Sequence, residues 1–145
     1  MEKIQFDSGI KQYKINGNGV LQFNPADPNV YARFMEAAQK IKQLEQQLRA
    51  KASTAQDEGG AQIVQLMADA DKQMKDILGW VFGEGNDMNA ILGGVNLLAM
   101  ASNGERVVTN LFAALQPILM EGAQSCAKET TRAAVEKAKA RRAAQ

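Results

Sequence analysis

Residues 13–28 read YKINGNGVLQFNPADP, and two motifs inside this stretch decide how the chain begins to fold. Asn16-Gly17-Asn18-Gly19 contains Asn-Gly, the strongest short-range hairpin signal, because both residues tolerate positive φ. Apolar residues alternate around it: Ile4 and Phe6, then Tyr13 and Ile15, then Val20 and, out of step with it, Leu21 and Phe23. The pattern predicts a β-hairpin pairing roughly residues 11–16 with 19–24, and leaves residues 2–6 as a candidate third strand. Gly17-x-Gly19 lacks the third glycine of a phosphate-binding loop and runs into a strand, so it reads as a turn. Asn24-Pro25-Ala26-Asp27-Pro28 then ends the strand and opens a helix. Asp27 is placed as its N-cap, with Pro28 at the first helical position, where a missing N–H costs nothing.

Nothing breaks that helix from residue 29 to about 52. Its apolar stripe is Tyr31, Phe34, Met35, Ala38, Ile41, Leu44 and Leu48, in steps of three and four. A polar linker, STAQDEGG at 53–60, leads to a second amphipathic helix at about 61–82, striped by Ile63, Leu66, Met67, Ala70, Met74, Ile77, Leu78 and Val81. The two are expected to form an antiparallel helical hairpin. Asp71 with Lys75 and Asp69 with Lys72 have the spacing of helical ion pairs and read as solvated pairs on the outer face.

Gly83 is suited to close the second helix, and Asn86 or Asp87 to cap the next. A short apolar helix is expected at 88–92, interrupted by Gly93-Gly94 and resumed at 95–100. Ser102-Asn103-Gly104-Glu105 matches a Ser-x-x-Glu capping box. The helix it would open carries Val108, Leu111, Phe112, Leu115, Ile118 and Leu119, with a kink expected at Pro117. Beyond Gly122 the composition turns basic and alanine-rich, with little stripe to bury. The fold class is therefore mainly α (α+β), a small N-terminal β-hairpin followed by a multi-helix bundle. Residues 1–24 form the hairpin of a single domain, 25–125 its helical part, and 126–145 a basic helical or frayed tail.

Composition narrows the function. The 145 residues hold 17 Lys+Arg against 16 Asp+Glu, one Cys and no His. Lack of His removes Ser-His-Asp and Cys-His nucleophile pairs and all His-containing zinc sites. A net charge of +1 argues against a generally basic nucleic-acid binder. Cys126 alone forms no intrachain disulfide, which suits a reducing compartment, and it reads as a small apolar residue rather than a reactive thiol. The N-terminal residues lack the apolar core of a secretory signal. The stretches 88–100 and 107–120 are too short and too polar to span a membrane. The expectation is a cytoplasmic protein that binds rather than catalyses, with no cofactor.

Charge is uneven: residues 57–87 hold seven acids and two lysines, whereas 126–145 hold six basic residues and two acids. The basic tail could thus meet the acidic second helix, of the same chain or of a neighbour. It carries no aromatics beside its basic residues and no groove-reading motif, which argues against nucleic acid. Seven methionines, lying mainly on the apolar stripes, suit a core or an adaptable binding surface.

Residues 13–34 (YKINGNGVLQFNPADPNVYARF) and 71–87 (DKQMKDILGWVFGEGND) carry a family resemblance. A strand, an Asn-Pro-x-Asp-Pro turn, a long helix and then a helix ending in Phe-Gly resembles the tail assembly chaperones of long-tailed phages and prophages, over roughly residues 13–96. The resemblance implies a helical protein of the bacterial host cytoplasm that coats the tape measure protein, keeps it soluble and helps recruit tail tube subunits. It also implies self-association and, in some members, a longer frameshifted form. On this reading a partner helix would lie against Met67, Met74, Leu111, Phe112 and Leu115, and Lys137, Arg141 and Arg142 of the tail would add electrostatic attraction. Two other classes fit the composition: a structural tail or connector component of the virion, and a small helical nucleic-acid-binding regulator.

Overall fold

The computed structural model describes residues 1–54 and 60–144. In chain order the elements are β1 (Lys11–Lys14), β2 (Val20–Phe23), α1 (Pro28–Thr54), α2 (Ala61–Phe82), α3 (Met88–Ile91) and α4 (Val107–Ala144). The protein is mainly helical with one small antiparallel hairpin, as the sequence implies. Most of the linker between α1 and α2, residues 55–59, lies outside the described residues.

The hairpin forms around Asn16-Gly17, whose φ angles are 49° and 74°. Asn18 N–H donates to Ile15 O at 2.8 Å, and Ile15 N–H donates to Gly19 O at 2.9 Å, so residues 16–18 form the loop. Gly19 was expected to share the turn geometry, but its φ is not positive. It is needed for a different reason: a Cβ there would lie 2.7 Å from the Ile91 Cα. Gly17→Val is therefore expected to cost about 1–2 kcal/mol through backbone strain. Gly19→Ala should cost about 1–3 kcal/mol through overpacking against α3. Gly85→Ala, where the space is open, is the control. Urea midpoints that do not separate Gly19→Ala from Gly85→Ala would rule out this packing.

Residues 2–6 do not make the third strand. The sheet has two strands, and residues 1–10 are exposed without regular structure. The helix start behaves as expected: α1 begins at Pro28, and Asp27 Oδ1 accepts the Asn29 N–H at 2.9 Å. α1 and α2 run antiparallel, since Arg33 near the start of α1 donates to Val81 O near the end of α2 at 3.1 Å, while Leu48 and Leu66 line one hollow at the other end. The core joins Leu21 and Phe23 of β2 to Phe34, Ala37 and Ile41 of α1, Met74, Leu78 and Val81 of α2, and Leu115 and Leu119 of α4. Phe23 links the sheet to this core, with ring centroids 5.0 Å from Tyr13 and 4.8 Å from Phe82.

Two local expectations give way to tertiary contacts. The apolar run at 95–100 is not helical; α3 stops at Ile91, and Leu97 and Leu98 enter the core from a turn. There Leu97 O accepts the Val108 N–H at 2.8 Å, which ties the turn to the start of α4. Ser102-Asn103-Gly104-Glu105 is not a capping box either. An antiparallel bridge between Met100 and Arg106 encloses it as a tight turn, with Gly104 at φ 83°, and α4 starts only at Val107. Asn-Gly, itself a hairpin signal, here outweighs the cap. α4 itself runs through Pro117 and Gly122 and continues for 38 residues, about 57 Å at 1.5 Å per residue. From Ala127 onward it is exposed on every side, so the tail is helical and does not lie on its own acidic α2.

Candidate functional site

α1 carries two adjacent apolar seams that the sequence merges into one stripe. Val30, Phe34, Ala37 and Ile41 are buried in the core, whereas Tyr31, Met35 and Ala38 turn toward α4. Across from them stand Val108, Phe112 and Met120 of α4. Between the helices lies an open groove of about 460 Å³, mainly apolar, with Thr109, Gln116, Lys42 and Glu45 as its polar lining residues. Phe34 and Phe112 stack at its floor, 4.8 Å between centroids with planes 23° apart. Met35 and Met120 remain 48% and 39% exposed, so a pair of flexible thioethers flanks the opening.

The residues expected to bind a partner are not brought together. Phe112 lines the groove. Leu115 is buried, and Met74 on α2 is completely so; neither can meet a partner, because both fill the space between helices. Leu111 and Met67 are half-buried against the core, and neither lines the groove. Lys137, Arg141 and Arg142 stand on the protruding end of α4. Nearby, Arg132 pairs with Glu129 and with Glu136, in the latter case at 3.2 Å, so both tail acids share one guanidinium. The groove residues that sequence reasoning missed include Val108 and Met120 of α4 and, on α1, Tyr31, Met35 and Ala38. On α1 their signal was present as the second apolar seam, one position off the first.

The Asp71–Lys75 pair is not on the outer face. Both residues are buried, and Lys75 Nζ lies 2.8 Å from Asp71 Oδ2 and 2.6 Å from Asn89 Oδ1. Asp71 Oδ1 accepts the Leu97 N–H at 2.8 Å, so this carboxylate fastens the turn after α3 to the middle of α2. Asp69 accepts from Gln65 at 3.2 Å rather than pairing with Lys72. Asn86 is likewise structural: its Oδ1 accepts the Gln22 N–H at 2.9 Å, and its Nδ2 donates to Gln22 O at 2.9 Å and to Phe82 O at 3.0 Å. Asp87 is the N-cap of α3, accepting the Ala90 N–H at 3.2 Å. These polar groups are satisfied by one another and by backbone, which makes them architecture.

Fold and site together define a helical protein with an open, mainly apolar groove between two helices. Among the described residues no helix is long and apolar enough to cross a membrane, and no three acidic or thiol side chains gather as metal ligands. Comparison with known proteins adds no relative: no family model, no curated protein and no solved structure matches the chain.

Proposed function

We propose that this protein is a tail assembly chaperone, binding the tape measure protein in the bacterial host cytoplasm, keeping it soluble and helping to recruit tail tube subunits. One observation carries the reading: the apolar groove between α1 and α4, with stacked Phe34 and Phe112 at its floor and Met35 and Met120 at its opening. A long apolar trough flanked by methionines suits the apolar face of an amphipathic helix and tolerates many such helices in succession, as a long helical client requires. The resemblance over residues 13–96 supports the same reading. The role is one of binding, without catalysis or a cofactor. Lys137, Arg141 and Arg142 on the exposed end of α4 supply attraction for acidic segments of the client.

The test is co-expression with a candidate tape measure protein, followed by pull-down of the soluble fraction. Met35→Asp with Met120→Asp is expected to abolish co-purification while leaving the fold intact, because both side chains already face water. Phe112→Asp is a poorer probe, since it removes the ring on which core Phe34 stacks. Raised salt should weaken retention only partly. A tape measure protein that is equally soluble alone, or one retained undiminished by the double variant, would overturn this proposal. Presence of the chain in purified virions would favour a structural tail component.

A further inference from the structure

The hairpin has two outer edges, and only one is closed. In an antiparallel pair, residues alternate between those that exchange hydrogen bonds and those whose N–H and C=O point away from the partner strand. Ile15 N–H donates to Gly19 O, so Tyr13↔Leu21 and Lys11↔Phe23, two and four residues back, are also of the bonded kind. Gln12↔Gln22 and Lys14↔Val20 are of the other kind, with backbone groups facing outward. On the β2 side the outward N–H and C=O of Gln22 are both taken by the Asn86 amide. On the β1 side, among the described residues, nothing takes those of Gln12 and Lys14.

Just before β1 lies a segment patterned as a strand but, among the described residues, paired with nothing. Ile4 and Phe6 alternate with Lys3, Gln5 and Asp7, and are 90% and 81% exposed. The segment is separated from its own β1 by an anchored turn. Asn24 Nδ2 donates to Ser8 O at 3.0 Å, Gly9 N–H donates to Asp7 Oδ1 at 2.9 Å, and Gly9 sits at φ 74°.

We propose that residues 3–7 of one copy add as a third, antiparallel strand to the open edge of β1 in a second copy, reciprocally, to give a two-fold dimer. Register follows from the faces. Tyr13 and Ile15 share the face of β1 that lies with buried Leu21 and Phe23. Pairing Gln5 with Lys14 and Asp7 with Gln12 makes the outward backbone bonds of β1, and sets Phe6 opposite Tyr13 and Ile4 opposite Ile15. A slip of one residue would turn both apolar side chains to water. Asp7 then lies diagonal to Lys14, a favourable charge pair. The exchange closes as a two-fold and buries both open edges, which would otherwise invite uncontrolled pairing. This inference is independent of the chaperone reading, and its test uses the chain alone.

Light scattering of the full chain at tens of micromolar should give twice the monomer mass. Phe6→Asp removes the apolar anchor. Gln12→Pro removes an N–H that the hairpin itself does not use, at an edge position where proline is tolerated. Each is expected to weaken dimerisation at least tenfold with unchanged helical circular dichroism. In a Cys126→Ser background, an Ile4→Cys chain mixed with an Ile15→Cys chain should form a disulfide between chains, because non-bonded antiparallel pairs bring their Cα atoms to about 4.5 Å and their side chains closest together. A monomer up to high micromolar concentration, a dimer indifferent to both substitutions, or failure of the mixed disulfide to form would each overturn the proposal.

Discussion

Adding one methyl group at Gly122 is expected to lower stability by about 3 kcal/mol, at the upper end of overpacking costs. An ideal Cβ at this position would lie 1.8 Å from Pro25 O and 2.5 Å from Pro25 C, so α4 crosses the turn before α1 at backbone contact. Neither side can easily give way. The turn is braced by Asn24 Oδ1 accepting the Ala26 N–H at 2.8 Å and by the Asp27 cap on Asn29, and proline fixes its own φ. α4 is held by Leu115 and Leu119 in the core. The sign makes the experiment decisive. In an unencumbered helix Gly→Ala stabilises by about 1 kcal/mol. Urea denaturation of Gly122→Ala should instead show a large loss, and a gain would mean that α4 does not cross here.

Asp71→Ala is expected to cost about 3–5 kcal/mol, as when one partner of a buried ion pair is removed. Asp71 and Lys75 are 9% and 8% exposed, and the carboxylate holds both the ammonium and the Leu97 N–H. Its loss leaves the Lys75 ammonium with only Asn89 Oδ1 and the Leu97 N–H without its acceptor, and the turn that delivers Leu97 and Leu98 to the core loses its tie to α2. Replacing both charges, Asp71→Leu with Lys75→Met, should recover the part of the loss that comes from the unpaired ammonium, while the Leu97 N–H stays without its acceptor. The measurement is a double-mutant cycle in urea. A single substitution costing under about 1 kcal/mol would be the behaviour of an exposed pair and would contradict the burial.

Both predictions concern positions whose role the local sequence conceals. An Asp and a Lys four residues apart present the same pattern whether the helix face they share meets water or another segment. The turn at 95–99 comes from far along the chain to cover them. Gly122 reads as a change of composition within a helix, and its need for bare backbone arises from Pro25, nearly a hundred residues earlier.

What the sequence determined by itself is what neighbouring residues decide among themselves. Asn16-Gly17 sets its own turn through tolerated positive φ, Asp27-Pro28 starts α1 with its own side chain, and three-four periodicity marks α1, α2 and the first half of α4. Tertiary structure decided which of several compatible local choices prevailed. It drew 95–100 out of a helix so that Leu97 and Leu98 could be buried, and it turned a Ser-x-x-Glu motif into a bridge-enclosed loop. It also split the stripe of α1 between core and groove, because two partner helices approach it from different sides. Burial on folding is a property of surfaces that meet only in three dimensions, and its free energy exceeds the few tenths to one kcal/mol by which local preferences differ.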